Sequence, residues 1–263
     1  MNQILVIDIG NSNIVVGVMA DGRVLDSARI ATALGEGKFG TLAGVKTTLR
    51  ELRKHHPEFR GGILSSVVPE LTQAVCEVVL QVTGVEIMVM GDDRLKLGME
   101  ICVEYPERVG HDRIADAIGA ISRFPCPLVV IDMGTATTVN VVDREGRFIG
   151  GMIIPGVRTS FDALCGHASQ LSEVPLCAPD HLIGKNTAEC MQSGATYGSA
   201  SMIDGLVNRI MDELKSEVTV VMTGGLAHLV SPLCRHEVIY DEFLLFRGLY
   251  RIYTDNNIMC PES

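Results

Sequence analysis

One short pattern occurs twice in this chain. Ile4-Leu5-Val6-Ile7-Asp8-Ile9-Gly10-Asn11-Ser12 and Leu128-Val129-Val130-Ile131-Asp132-Met133-Gly134-Thr135-Ala136 each run through an apolar stretch to an aspartate, one further residue, a glycine and then small residues. Such an apolar run predicts a buried strand. A glycine two positions past the carboxylate turns the chain sharply, presenting backbone N–H groups and short hydroxyl or amide side chains at the strand's end. That chemistry suits a phosphate, with the carboxylate near a Mg²⁺ ion that bridges phosphate oxygens. A single copy reads as an ordinary hairpin. Two copies predict duplicated halves that together grip a polyphosphate.

The surroundings of each copy repeat as well. Residues 3–9, 14–19 and 23–32, with a turn at Asp21-Gly22, predict a run of antiparallel strands. Leu42, Val45, Leu49 and Leu52 mark a helix over 41–54, a strand over 61–68 is closed by Pro69, and a helix over 70–82 leads to a strand over 85–90. The second series has strands at 127–132, 137–142 and 147–154, then helices near 157–166 and 187–214. Asn186 is the candidate N-cap of the last, with Glu189 at capping-box spacing. A strand over 218–222 precedes Gly224-Gly225. The fold class expected is therefore α/β, with duplicated βββαβα halves.

Charge narrows the partners. Of 263 residues, 22 are Lys or Arg and 32 are Asp or Glu, a formal charge of -10 with no basic stripe, so nucleic acid is an unexpected partner. A small phosphate ligand is not excluded, because backbone N–H groups hold anions without cationic side chains. The 47% hydrophobic content excludes a disordered chain. No apolar run approaches the roughly 18 residues that span a bilayer, and no basic segment precedes the first apolar stretch. A cytoplasmic protein without membrane contact is expected. Eight scattered cysteines with no CxxC read as reduced, most of them as small buried hydrophobes.

Gly110-His111-Asp112-Arg113 leads into helix-spaced Ile114, Ala117, Ile118 and Ile121. An aspartate in a first turn can simply cap the helix. Phosphoryl transfer to a hydroxyl also needs a carboxylate to receive the proton and a cation to hold the acceptor, which makes Asp112 the candidate base. Gly224-Gly225 after a strand fits either the close approach of an adenosine or a plain turn. Gly35-Glu36-Gly37-Lys38-Phe39-Gly40 matches GxGxxG, but no acidic residue ends the strand at 62–68, so a flexible loop is expected. The histidines lack HExxH spacing and are assigned no metal.

The ordered set formed by residues 8–13 (DIGNSN), 110–113 (GHDR), 132–138 (DMGTATT), 150–156 (GGMIIPG), 186–198 (NTAECMQSGATYG) and 220–227 (VVMTGGLA) resembles type III pantothenate kinases over nearly the whole chain. The resemblance implies the acetate and sugar kinase/Hsc70/actin superfamily, with two ribonuclease-H-like domains and an ATP cleft between them. Their expected bounds are 1–118, completed by a C-terminal helix at 241–255, and 119–240. It implies transfer of the ATP γ-phosphoryl group to the primary hydroxyl of pantothenate, giving 4'-phosphopantothenate, the first step of coenzyme A biosynthesis.

Carried over by position, ATP contacts fall on Asp8, Ile9, Gly10, Asn11, Ser12, Asn13, Ile14, Val15 and Thr135, with Mg²⁺ near Asp8. Pantothenate contacts fall on Gly110, His111, Asp112, Arg113 and Thr187, and Asp112 is the proton acceptor. Asp132 would hold a monovalent cation, K⁺ or NH₄⁺. A homodimer is implied, with the active site near its interface. Two positions depart from the family pattern: Ser12 replaces the usual Thr, and Val103-Glu104-Tyr105-Pro106 replaces Tyr-x-Asn-Pro, so Val103 stands where the acceptor pocket has tyrosine. That second departure leaves open a non-catalytic nucleotide-binding regulator. An actin-like filament protein is a weaker reading, because it has no use for the 110–113 motif.

Overall fold

The computed structural model of the protein describes residues 2–167 and 174–257. Its first half is organised around β1 (Ile4–Ile9), which pairs antiparallel with β2 (Asn13–Ala20), itself antiparallel to β3 (Arg23–Ala31). The β2–β3 connection is a two-residue turn in which Asp21 and Gly22 both have positive φ, 51° and 72°, the geometry that matches strand twist. Helix α1 (Lys38–His55), β4 (Gly61–Ser66), α2 (Pro69–Thr83) and the two-residue β5 (Met88–Val89) follow, then α3 (His111–Ile121). Strands β1 and β4 are parallel, as are β4 and β5, giving the sheet order β3-β2-β1-β4-β5.

Alternation decides which face each residue takes. Leu5, Ile7 and Ile9 share a buried cluster with Ile14, Val16 and Val18 of β2, Val45 and Leu49 of α1, and Leu71, Val75 and Val79 of α2. Val6 and Asp8 therefore point to the other face.

Three expectations are corrected here. Pro69 does not close a strand but opens α2, where its missing N–H is no loss, and the strand stops at Ser66. The 35–40 segment is no flexible loop: residues 35–37 make a short 3₁₀ turn and α1 begins at Lys38. Thr41 Oγ1 accepts from Ala33 N (2.9 Å), and Lys38 Nζ donates to the Glu70 carbonyl (2.7 Å), so this entry is fastened at two points. Of the seven described cysteines none is buried and none is in a disulfide, and Cys102, Cys177 and Cys190 are exposed. Cys260 lies outside the described residues.

The second half is built on β6 (Leu128–Met133), β7 (Ala136–Val142), β8 (Phe148–Pro155), α4 (Val157–His167), α5 (Thr187–Leu214), β9 (Thr219–Thr223), α6 (Ala227–Val230) and β10 (Val238–Tyr240). Its sheet order, β10-β9-β6-β7-β8, is the first sheet's order read from the other edge, with β6 antiparallel to β7 and parallel to β9. Val129, Ile131 and Met133 pack with Ala200, Ile203 and Val207 of α5. The Asp204 carboxylate accepts from Arg235 N (3.0 Å) and His236 N (3.2 Å), pinning the segment that leads to β10. Residues Ile101–Glu104 belong with this unit, through a bridge between Ile101 and Phe148.

The last helix, α7 (Leu244–Asn257), returns to the first unit, which among the described residues comprises 2–100, 105–122 and 243–257. Small residues make room for it. Phe246 lies against Gly17, Tyr253 against Gly61, and Gly248 against the Ala115 carbonyl of α3, positions where an added Cβ would collide. The helix covers the face of the first sheet that carries Val6.

Candidate active site

Asp8 stands half-buried near the C-terminal end of β1, and the turn after it is closed by a hydrogen bond from Gly10 N to the Asn13 carbonyl (2.9 Å). Thr32, just past β3, braces that turn twice: its Oγ1 donates to the Gly10 carbonyl (2.8 Å) and its N–H to the Ser12 carbonyl (2.9 Å). Asn11 and Ser12 are exposed at the tip. Ile9 and Ile14 are buried in the core cluster, so only their backbones remain available to a ligand.

Asp112 comes to the same end of the same sheet. The backbone after β5 runs past β4, with Met90 N donating to the Leu64 carbonyl (2.8 Å), and the His111 ring then rests against Gly91, whose φ is +96°. Helix α3 therefore begins beyond the C-terminal ends of β4 and β5, which lie parallel to β1. In open α/β sheets this is where ligands bind. Gly110 is the N-cap and supplies no side chain, while Asp112 Oδ1 accepts from Arg113 N at 2.8 Å, which fixes the carboxylate's rotation. Burial pulls the Arg113 guanidinium below its ordinary pKa, and the neighbouring Asp112 charge offsets part of that fall. Tyr105, at the head of a 3₁₀ turn over 106–108, is half exposed and lies under the Arg108 guanidinium, 4.7 Å from its ring centre.

In the second unit Asp132 is likewise half-buried, near the C-terminal end of β6, and Gly134 N closes its turn onto the Ala136 carbonyl (3.1 Å). Backbone from two sides presses on this turn. Gly156 lies against the Gly134 and Thr135 carbonyls, and Gly224, at φ +94°, lies against the Asp132 carboxylate and the Met133 backbone. The Gly224 requirement is thereby met by the protein's own strand end. Thr135 is exposed, and its carbonyl accepts from Thr159 Oγ1 (2.9 Å) and Gly156 N (3.2 Å). Thr187 is exposed in the first turn of α5, whose cap is as the sequence predicts: Asn186 Oδ1 accepts from Glu189 N (2.9 Å) and Glu189 Oε1 from Asn186 Nδ2 (2.8 Å).

The first unit thus brings Asp8, Gly10–Asn13 and Gly110–Arg113 to one sheet end, and the second groups Asp132 and Thr135. Nothing in the sequence singles out Thr32 and Thr159 as braces of these turns. Each is a hydroxyl distant in sequence from the turn it braces, Thr32 at the last position of a predicted strand and Thr159 three residues past Gly156, and neither place marks a brace. Among the described residues no three His, Cys, Asp or Glu side chains gather as a metal cluster, and no helix is long and apolar enough to cross a membrane. A groove of about 470 Å³ lined by Lys46, Arg50, Arg53 and Lys54 lies at the opposite end of the first sheet, where His56 Nδ1 meets Gln3 Oε1.

Comparison with known proteins gives the same picture. The sequence model of a family described as Type III pantothenate kinase matches residues 4–209. The chain is 36% identical over 263 residues to a type III pantothenate kinase of Bacillus cytotoxicus, covering 99% of each chain. It is 38% identical to one of Exiguobacterium sibiricum, covering 97% of this chain and 100% of the relative. Among solved structures, component A of (R)-2-hydroxyglutaryl-CoA dehydratase from Acidaminococcus fermentans is similar, with TM-score 0.57, 15% identity and coverage of 98% and 100%. The inorganic polyphosphate/ATP-glucomannokinase of Arthrobacter sp. strain KM gives TM-score 0.51 at 14% identity, with coverage of 99% and 100%. At these identities the structural likenesses establish a shared two-domain fold.

Proposed function

The chain belongs to the type III pantothenate kinase family and is an ATP-dependent kinase that phosphorylates pantothenate on the route to coenzyme A, and from that premise we propose how its residues divide the reaction. Asp112 accepts the proton from the primary hydroxyl of pantothenate as that oxygen attacks the γ-phosphorus and the bond to the departing ADP breaks. Arg113, with Gly110 and His111, holds the acceptor. Backbone and side-chain groups from Asp8 to Val15, together with Thr135, hold the nucleotide, and positioning with charge neutralisation supplies the rate. The observation that carries this reading is the arrival of Asp8 and Asp112 at one end of one sheet, with the Asp112 carboxylate rotation fixed by Arg113 N.

A divalent ion accompanies ATP in this chemistry. Mg²⁺ keeps several waters and takes one or two carboxylates plus phosphate oxygens, and the half-buried Asp8 carboxylate beside the exposed Asn11 and Ser12 is an all-oxygen set of that kind. Held there, the ion would supply charge stabilisation for the transferring phosphoryl group. Asp132, with the carbonyls of its own turn, likewise offers oxygen only, and we assign it to K⁺ or NH₄⁺. Ile153, Leu182 and Ile183, at 67%, 62% and 80% exposure, are large apolar side chains in the unit that carries Thr187. They support a homodimer in which Thr187 approaches a neighbouring acceptor site. Separated free cysteines suit a reducing, cytoplasmic setting. The regulator reading has no support from the curated relatives, which are named as kinases.

Asp112→Asn tests the assignment. It should fold as the parent does and bind ATP, while pantothenate-dependent ADP release with saturating Mg²⁺ and K⁺ falls by about 10²–10⁴-fold. Turnover equal to the parent would remove Asp112 from the base role.

A further inference from the structure

The end of β4 carries two adjacent serines with opposite surroundings. Ser66 Oγ donates to the Val68 carbonyl (3.2 Å) and accepts from Val68 N (3.0 Å) and Thr72 Oγ1 (2.8 Å), guiding the chain into α2. Ser65 is completely buried, and its hydroxyl makes no hydrogen bond among the described residues. A hydroxyl removed from water without a partner destabilises the fold, and alanine would fill the same space without that penalty. Packing therefore gives no reason for a serine here.

Register supplies one. Ser65 is the direct partner of Asp8 across the parallel β1–β4 ladder. Register partners on neighbouring strands lie about 4.8 Å apart and point to the same face, so the unused hydroxyl stands beside the carboxylate. The pairs behind it, Val6 with Ile63 and Ile4 with Gly61, are apolar or small and offer it nothing. The second unit repeats the arrangement, with Asp132 in register with the buried Thr223 across β6–β9.

We propose that Ser65 is a positioning residue for phosphoryl transfer, its hydroxyl donating to the Asp8 carboxylate when nucleotide and cation bind and so fixing the orientation in which Asp8 meets them. This rests on the reading of Asp8 as the carboxylate on the nucleotide's cation side. Groups that orient a metal-side ligand are typically worth 10–100-fold in metal affinity or activity.

The test uses full-length Ser65→Ala, Ser65→Cys, Asp8→Asn and the Ser65→Ala/Asp8→Asn double variant. Ser65→Ala should melt at or above the parent's temperature, because an unsatisfied buried group has gone. In calorimetric titrations of ATP, the Mg²⁺ concentration giving half-maximal binding should rise by about 10–100-fold. The KM for pantothenate should stay unchanged. Ser65→Cys, a weak donor of similar shape, should fall between. In the Asp8→Asn background, Ser65→Ala should add nothing.

Parent-like Mg²⁺ dependence in Ser65→Ala, with a clear loss in Asp8→Asn, would overturn the proposal and leave the Asp8 reading standing. A lowered melting temperature in Ser65→Ala, or additive effects in the double variant, would overturn it in favour of a purely structural hydroxyl. Unchanged Mg²⁺ dependence in Asp8→Asn would remove the Asp8 reading itself, and the proposal with it.

Discussion

The two units hold equivalent turns by unlike means. After Asp8 the turn is braced by hydrogen bonds from one residue, Thr32, and its tip at Asn11 and Ser12 stays exposed. After Asp132 the turn has a hydroxyl brace too, from Thr159, but it is hemmed in by backbone as well, with Gly156 on one side and Gly224 on the other. A duplicated strand order places a carboxylate at the same point of each sheet. The residues facing the turn decide whether it can adjust. A hydrogen-bonded turn can give a little and recover, as the nucleotide side of a transfer site requires, whereas a turn walled by main chain has one position, which suits a fixed ion site.

The hardest test of that contrast is Gly224→Ala. A non-glycine residue at φ +94° costs about 1–3 kcal/mol in strain, and the new Cβ collides with Asp132 and Met133. We expect a drop of several degrees in melting temperature, together with loss of whatever rate K⁺ adds under the proposed assignment of Asp132. Gly10→Ala, where the nearest atom to a Cβ is the Asn13 carbonyl at 3.1 Å and φ is not positive, should be far milder. Equal losses at the two sites, read by thermal melting, would erase the distinction.

Thr32→Val comes next. It deletes the hydroxyl bond to Gly10 and should cost about 1 kcal/mol, raising the KM for ATP while leaving kcat near the parent's. Thr159→Val should cost less, because Gly156 N still donates to the Thr135 carbonyl. Steady-state kinetics at varied ATP separates the two.

The smallest effect is in the hairpins. The β7–β8 turn is closed by Asp143, whose carboxylate accepts from Arg147 Nε (2.7 Å), Arg147 N (2.9 Å) and Glu145 N (3.1 Å). Burial alone would push its pKa up, but the Arg147 and Glu145 contacts outweigh it and hold the group below the ordinary carboxylate value. Its contribution is therefore complete above the unfolded pKa of about 3.9 and is lost as pH falls through the lower folded value. The β2–β3 turn at Asp21-Gly22 relies on backbone geometry instead. Amide protection factors, taken relative to the intrinsic rate at each pH, should fall in the second hairpin first as the pH is lowered toward 3, and Asp143→Asn should flatten that response.

Much of this was legible in the sequence because it depends on local chemistry. The repeated Asp-x-Gly strand ends, the Asn186–Glu189 cap and the apolar spacing of α1 and α2 are each written within a few residues. What escaped depends on partners distant in the chain. Strand β10 is three residues that form a strand beside Val220–Met222, and Ile101–Glu104 join the second unit beside Phe148. The GxGxxG match concealed a helix start because Thr41 and Glu70, which fasten it, lie beyond the motif. Ser65 reads as the first of two ordinary serines until burial and register separate them.

The return of α7 to the first unit sets an order of events during synthesis. Residues 123–242 form nearly all of the second unit without a break, whereas one face of the first sheet, covered in part by α3, is completed only when residues 244–257 have left the ribosome. The portion translated first is thus the portion completed last, and Gly17 and Gly61 are the sockets that wait for it. A nascent chain halted before residue 244 would display the part of that face that α7 covers to chaperones, whatever the state of the middle of the molecule.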